Sequence, residues 1–130
     1  MNAGYSQPDF ANFERRLWER MDQLKREIDE ARERGESFRR LAGEAYDSGD
    51  ASVADLAMTT NNANAQRDAN ELRDVDEALG RLAGGKFGLC VRCGEPIERQ
   101  RLDAYPAAKR HRRCQEAHER EYGSTQTPTL

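Results

Sequence analysis

Three cysteines and one histidine are the residues whose types and spacing most clearly predict chemistry. Cys90 and Cys93 are two residues apart and are followed by Gly94; after 17 intervening residues from Cys93, His111 and Cys114 repeat the two-residue gap. A Cys-x-x-Cys pair combined with a His-x-x-Cys pair is typical of a four-ligand zinc site, since zinc accepts three thiolates and one imidazole. The sequence therefore predicts a structural Zn²⁺ held by Cys90, Cys93, His111 and Cys114.

The same segment permits other interpretations. His118 lies one helical turn after Cys114 and could replace His111 as a ligand, or the segment could pack without a metal. A redox role for Cys90 and Cys93 would normally come with the βαβ pattern of thioredoxin-like proteins, which the sequence lacks. Four protein ligands leave no position for water, and the chain has neither a phosphate-binding glycine loop nor a nucleophile and base in a catalytic arrangement. We therefore expect no enzymatic activity.

Composition limits the scaffold that can carry this site. Of the 130 residues, 36% are hydrophobic and 35% are charged, so the chain cannot bury a thick core and must be thin or elongated. No apolar run approaches the roughly 20 residues that cross a bilayer, and the first residues lack an export signal. We expect a cytoplasmic protein without membrane contact. In a reducing compartment, an odd number of cysteines favours metal ligation over disulfides.

Two heptad series predict a coiled coil. In each, a 4-3-4-3 spacing places the residues on one seam of a helix. The first series consists of Leu17, Met21, Leu24, Ile28, Ala31, Gly35, Phe38, Ala42 and Ala45. The second consists of Ala51, Ala54, Met58, Asn61, Ala65, Asp68, Leu72, Val75, Leu79 and Leu82, and its two polar members interrupt the seam.

The segment between the two series favours a turn. Gly49 permits a positive φ, and Ser52 with Asp55 forms a capping box for the second helix. Because the connection is short, we expect an antiparallel hairpin about 45 Å long within a monomer. The predicted fold is mainly α, with a flexible leader at 1–9, a coiled-coil hairpin at 10–85 whose tip lies near 46–52, a zinc-finger module with a C-terminal helix at 86–122, and a loose tail at 123–130.

Charge is unevenly distributed along the chain. Residues 44–85 carry three basic and nine acidic side chains, whereas residues 86–130 carry nine and six. The net charge of −3 argues against a protein that binds nucleic acid irrespective of sequence. The basic side chains of the C-terminal segment are either a solvated face or candidates for docking on an acidic protein surface. They are Arg99, Arg101, Lys109, Arg110, Arg112 and Arg113.

The C-terminal segment resembles a known bacterial family. It contains the pair Phe87-Gly88 before the first cysteine, the knuckle that ends at Gly94, the string Arg101-Leu-Asp-Ala-Tyr-Pro106 and the pair Cys114-Gln115. Together these motifs resemble the zinc-finger signature of the DksA/TraR family of transcription regulators, and the resemblance continues back through the hairpin.

This resemblance implies a function for the turn. Members of the family insert their coiled coil into the secondary channel of RNA polymerase, where two aspartates in the pattern Asp-x-x-Asp-x-Ala act near the catalytic centre. The matching residues here are Asp47, Asp50 and Ser52, so a serine replaces the small apolar residue. The chain is thus expected to bind RNA polymerase directly and to alter the stability of open complexes at selected promoters.

The resemblance also bears on ppGpp, the nucleotide with which many members act. At the positions where the family's basic side chains contact it, this chain has Asp74, Tyr105 and Gln115. Without a cation at these positions a polyphosphate is poorly held, so we expect weak or no dependence on ppGpp.

Two other functions remain open at this point. The tip could be inert, in which case the chain would only compete with other factors that occupy the channel. Alternatively, Arg110, Arg112 and Arg113 could contact phosphates as part of a zinc-ribbon nucleic-acid-binding module. Few aromatic side chains are available to stack on bases and the hairpin is acidic, so sequence-specific DNA binding by the chain alone is not expected.

Overall fold

Four helices make up most of the described chain, residues 5–44 and 51–123, in the computed structural model. They are α1 (Gln7–Glu44), α2 (Ala51–Ala83), α3 (Arg99–Ala104) and α4 (Arg112–Tyr122). The two long helices pack against each other, and the short ones belong to the cysteine-containing segment. The mainly α fold class, with a helical hairpin, a small cysteine module and a C-terminal helix, is confirmed.

Contacts between the two long helices establish that they are antiparallel. Arg20 donates two hydrogen bonds to Glu71, from Nε at 2.6 Å and from Nη2 at 2.7 Å. Further along α1, the Ala31 carbonyl accepts a hydrogen bond from Asn61. Residue numbers thus rise along α1 as they fall along α2. At about 1.5 Å per residue, the 38 residues of α1 form a rod roughly 57 Å long.

The seam follows the predicted heptads. Every predicted position whose side chain the structure describes is buried or half-buried, including the polar Asn61 and Asp68. The densest packing lies at the end nearer the cysteine module, where Leu17, Leu24 and Val75 are at most 1% exposed. Toward the turn, Ile28, Phe38 and Met58 are only half-buried. Ala42, Ala45, Ala51 and Ala54 have side chains outside the described part of the structure.

An aromatic cluster joins the cysteine module to the base of the hairpin. Phe87 is fully buried and its ring lies 5.1 Å from that of Phe13, centroid to centroid. Tyr5 contacts Phe10 and Phe13 edge to face. Leu102 of α3 and Ile97 complete the same core. The module is therefore fixed on the hairpin by apolar burial as well as by the chain connection.

The beginning of α1 differs from the predicted leader. Ser6 and Asp9 form a reciprocal cap, in which the Ser6 N–H donates to Asp9 Oδ2 at 3.0 Å and the Asp9 N–H donates to Ser6 Oγ at 3.3 Å. Arg99 also donates two hydrogen bonds to Asp9. As a result the helix begins at Gln7 rather than at residue 10, and residues 5–9 of the predicted leader contribute to the fold.

Some predicted segments lie outside the described residues. These include Asp47 and Asp50 of the tip, residues 1–4 of the leader and residues 124–130 of the tail. Ser52 is the second residue of α2, but its side chain is not described. Within residues 5–44 and 51–123, neither long helix has an apolar stretch sufficient to cross a lipid bilayer.

Candidate metal centre

The four predicted ligands converge. Sγ of Cys90, Cys93 and Cys114 and a ring nitrogen of His111 all lie within 4.8 Å of one another. The His111 Nε2 is 3.1 Å from the sulfur of Cys93 and 3.4 Å from that of Cys114. Because Zn–S and Zn–N bonds are about 2.3 and 2.0 Å, neighbouring donors in a tetrahedral zinc site are roughly 3.5–3.8 Å apart. Three thiolates and an imidazole at these separations fit zinc.

The first ligand pair is held by a tight knuckle. The Gly94 N–H donates to the Cys90 carbonyl at 2.9 Å, and the Cys90 N–H donates to the Glu95 carbonyl at 2.8 Å. Gly94 has a φ of 78°, a left-handed conformation in which a side chain would be strained. Arg92, between the two cysteines, pairs with Glu121 near the end of α4 at 2.6 Å. The knuckle is thereby tied to the helix that carries Cys114.

The second ligand pair is positioned from the protein interior. Arg101 is only 6% exposed, and its Nε donates to the Arg110 carbonyl at 2.9 Å, which holds the backbone immediately before His111. The Val91 N–H donates to the Lys109 carbonyl at 2.8 Å and joins this loop to the knuckle. The bond from Arg101 explains why the string Arg101–Pro106 begins with an arginine: its guanidinium holds the loop that carries His111.

His111 both faces the sulfurs and caps α4. Its Nδ1 accepts a hydrogen bond from the Cys114 N–H at 3.3 Å, so the ring proton belongs on Nε2, which points toward the sulfurs of Cys93 and Cys114. A zinc ion on Nε2 would require that nitrogen to give up its proton. Zinc binding by this set is therefore coupled to the tautomer of His111 and to the first turn of α4.

The thiols influence one another. Burial raises the pKa of the Cys114 thiol to about 11, and the sulfurs of Cys90 and Cys93 act in the same direction. Burial raises the pKa of Cys90, but hydrogen bonds from the backbone of Cys93, Arg92 and His111 and from the Cys93 side chain together outweigh it, so the pKa of Cys90 lies below its ordinary value. A divalent cation among these sulfurs would favour all three thiolates at neutral pH. All four positions are occupied by protein donors, which is the arrangement of a structural zinc site rather than a catalytic one.

The alternative ligand does not join the set. His118 stacks on Tyr122 with ring centroids 4.7 Å apart, whereas the group of converging donors contains His111. His111, which the His-x-x-Cys spacing predicted as the fourth ligand, is therefore the histidine that lies beside the three cysteines.

Comparison with known proteins agrees with this geometry. The family model described as "Prokaryotic dksA/traR C4-type zinc finger" matches residues 85–120. The fold is similar to that of transcription factor DksA2 from Pseudomonas aeruginosa, with a TM-score of 0.75, 25% identity, and coverage of 93% of this chain and 92% of that one. Residues 85–120 thus match the DksA/TraR zinc-finger family, and the fold is similar to that of DksA2.

Curated sequence relatives match parts of this chain. An uncharacterized protein of Aquifex aeolicus is 43% identical over 53 residues, which are 41% of this chain and 37% of the relative. A Caulobacter vibrioides protein named "RNA polymerase-binding transcription factor DksA" is 46% identical over 46 residues, 35% of this chain and 32% of the relative. The matched segments thus span about a third of the length of these curated relatives.

One ligand departs from the family description. The matching family model is of the C4 type, whereas this chain has His111 in the third position. The substitution keeps a four-donor site but lowers its negative charge, since imidazole binds zinc as a neutral ligand.

The basic residues predicted to dock on a partner fall into two groups. Arg99 pairs with Asp9 and stacks over the Tyr5 ring, and Arg101 is buried. Lys109 and Arg110 are half-buried and also contact other residues, Asp74 and Gln115 respectively. Arg112 and Arg113 are exposed, so these two are the members of the predicted set that are placed mainly outward.

The three positions assigned to ppGpp lie at the base of the hairpin. Asp74 and Gln115 are 4% and 3% exposed, and the buried hydroxyl of Tyr105 has no hydrogen-bond partner among the described residues. Lys109 Nζ lies 3.1 Å from Asp74 Oδ1, so a cation from elsewhere in the chain is adjacent to one of these positions. Lys109 was predicted only as a docking residue; its pairing with Asp74 was not predicted, because it depends on how the module folds against α2.

Proposed function

We propose that this protein is a DksA-like transcription regulator that binds RNA polymerase and inserts the tip of its hairpin into the secondary channel. The observation that carries the proposal is the likeness to DksA2 over 93% of the chain, hairpin and module together. A Caulobacter relative whose name describes polymerase binding supports the choice of partner. Regulation would then consist of a change in open-complex stability at selected promoters.

The dimensions of the hairpin suit insertion into a channel. Two packed helices are about 20 Å across, and the rod extends well beyond the zinc module at its base. Paired side chains such as Arg20 and Glu71 keep the two helices together along the rod. A narrow rod of this kind reaches groups that a globular domain cannot approach.

The proposed effectors are the carboxylates of Asp47 and Asp50, next to Ser52. Two negative charges delivered to a polymerase active centre would perturb nearby basic groups or groups that bind Mg²⁺. The zinc module would serve as the rigid base that sets how far the hairpin enters. When bound, zinc supplies structural cross-linking of the two ligand pairs rather than chemistry on a substrate.

We further propose that the response to ppGpp is weak or absent. The side chains of Asp74 and Gln115 are buried and that of Tyr105 carries no charge, so none of the three supplies a cation to a polyphosphate. Lys109, the adjacent cation, is already shared between Asp74 and Glu77.

The test is the lifetime of open complexes formed by bacterial RNA polymerase at a ribosomal RNA promoter. Wild type should shorten the lifetime without ppGpp, and Asp50→Asn should remove most of that effect while binding to polymerase persists. Equal shortening by both proteins would show that the carboxylate is not the effector. Polymerase binding without any change in lifetime would indicate a factor that acts only by occupying the channel.

A further inference from the structure

A basic cavity lies where α2 ends and the zinc module begins. Its volume is about 590 Å³, it opens widely to solvent, and its walls include four basic residues, Arg81, Lys86, Lys109 and Arg110, and one acidic residue, Glu77, with Val91, Gly80 and Gly84 completing the lining. We call it the α2-end cavity. Arg81 and Lys86 come from the end of α2 and the following turn, while Val91, Lys109 and Arg110 come from the two halves of the module. The cavity therefore exists only when the module is docked on the hairpin.

Arg81 is the unusual member of this set. It is half-buried, its Nη2 is shielded from solvent, and that nitrogen donates no hydrogen bond to any described residue. Burial lowers the pKa of the guanidinium; nearby Glu77 and Asp74 oppose this effect without bonding to Nη2, and Arg110 adds to it. Because Nη2 has no exposed surface, it is not reached from the open cavity, and Arg81 lines the wall through its other atoms and contributes its charge there.

The acidic side chains near the cavity bond to a different cation. Lys109 Nζ lies 3.1 Å from Asp74 and 3.3 Å from Glu77. Arg110 donates from Nη1 to the neutral Gln115. Neither Arg81 nor Lys86 has an ion pair with a carboxylate in the described part of the chain. Positive charge in the α2-end cavity is thus incompletely balanced.

We propose that the α2-end cavity receives a carboxylate side chain from an acidic segment of a partner protein, and on the proposed function that partner is RNA polymerase. Arg81 and Lys86 would provide the positive charge, with the exposed Lys86 ammonium able to contact the carboxylate directly. Val91 is 52% exposed at the cavity wall, so the methylene groups of a Glu or Asp side chain would cover it. A wide opening with an apolar side suits a side chain presented by a protein surface better than a small free anion.

The proposed docking contact involves residues other than Arg99 and Arg101. Arg99 and Arg101 form internal contacts with Asp9 and with the Arg110 carbonyl, so removing them would disturb the fold itself. Arg81 and Lys86 were not among the predicted docking residues. Their positions between the rod and the module would fix the depth of insertion, because contact at the base stops the rod from moving further.

The experiment measures the affinity of the full-length, zinc-loaded protein for purified RNA polymerase by fluorescence anisotropy. Arg81→Gln and Lys86→Gln should each raise Kd about tenfold, as expected for loss of a charge-assisted contact, and should flatten its salt dependence. Arg73→Gln removes the same charge from an exposed position on the same helix and should change Kd less than about twofold. Zinc content and melting temperature verify that each variant is folded.

The outcomes separate this proposal from the function on which it rests. Wild-type binding that is unchanged by both Arg81→Gln and Lys86→Gln would overturn the docking contact and leave polymerase binding intact. No binding by wild type would overturn the proposed function together with the contact. A parallel calorimetric titration uses inorganic pyrophosphate: if Arg81→Gln abolishes pyrophosphate binding but leaves polymerase affinity unchanged, the cavity is a small-anion site and the proposal is wrong.

Discussion

Asn61 Nδ2 on α2 donates a hydrogen bond to the Ala31 carbonyl on α1 at 2.8 Å, within a seam whose other polar member is the half-buried Asp68. The Asn61 Oδ1 accepts from Arg34 Nε at 3.1 Å, and Gly35 lies beside the amide. Both halves of the amide are therefore bonded although the residue is only 7% exposed. A single polar residue at such a position typically specifies helix alignment at a cost in stability.

We expect Asn61→Leu to raise the free energy of unfolding by about 1 kcal/mol, because an apolar side chain would replace a desolvated amide while Arg34 turns to solvent. Asn61→Ala should instead lower it by a similar amount, since it removes the bonds and leaves a gap. Thermal unfolding followed by circular dichroism measures both. Equal destabilisation by the two variants would mean that the amide contributes more than packing can replace.

The zinc site gives a prediction about ligand identity. His111→Cys restores the four-cysteine set and should retain one zinc per chain, whereas His111→Ala and Cys93→Ser should lose metal and melt at a lower temperature. His118→Ala is the matched control and should keep its zinc, because His118 contacts Tyr122 instead. Metal analysis after dialysis against a chelator gives the readout. Loss of zinc from the His118 variant would contradict the assignment.

Arg101 supports the second ligand pair from within the core. Arg101→Lys keeps the charge but loses the Nε–H that bonds to the Arg110 carbonyl, and we expect it to cost about 2 kcal/mol in stability. The exposed Arg113→Lys should change stability by less than about 0.5 kcal/mol. Chemical denaturation of the zinc-loaded proteins compares them. Similar stability of the two variants would show that the buried guanidinium is not needed to hold the loop.

The contact between Asp9 and Arg99 predicts a dependence on acid. Hydrogen bonds from Arg99, and then from Ser6, hold the pKa of Asp9 well below its usual value. The stabilisation is therefore fully present above the pKa of the unfolded chain, near 4, and is lost as the pH falls toward the lower folded value. The melting temperature of wild type should exceed that of Asp9→Asn by a constant margin above about pH 5 and by a shrinking one below it.

The control for this titration is Asp103→Asn, since Asp103 lies 3.7 Å from Arg99 on the exposed side of α3. That variant should follow wild type across the same pH range. Comparison of variants at each pH removes the shared effect of acid on the cysteine ligands. A margin between wild type and Asp9→Asn that stays constant down to pH 2 would contradict the account.

Local and periodic features of this fold could be predicted from sequence. The heptad spacing predicted that Leu17 and Val75 lie in the seam, and the two-residue gap before Cys114 predicted that His111 is a ligand. Both patterns depend only on residues that are near each other in the chain. Contacts between distant segments could not be predicted in the same way. The pairing of Lys109 with Asp74 and the burial of Arg101 depend on how the module docks against the hairpin, and nothing in the local sequence distinguishes these cations from exposed ones.

The start of α1 shows a smaller failure of the same kind. Ser6 and Asp9 have the spacing of a capping box, yet the apolar heptad begins only at Leu17, so periodicity placed the helix start too late. Tyr5 then packs on Phe13 through an aromatic contact that no periodic pattern contains.

Insertion of the hairpin is tested most directly by a photo-crosslinking amino acid at Val53, near the start of α2, where the side chain is 69% exposed. A second protein carries the same probe at the exposed Gln100 in the module. In complexes with RNA polymerase, the Val53 probe should crosslink to residues at the inner end of the secondary channel, and the Gln100 probe to the outer surface. Crosslinks from both positions confined to the outer surface would contradict insertion.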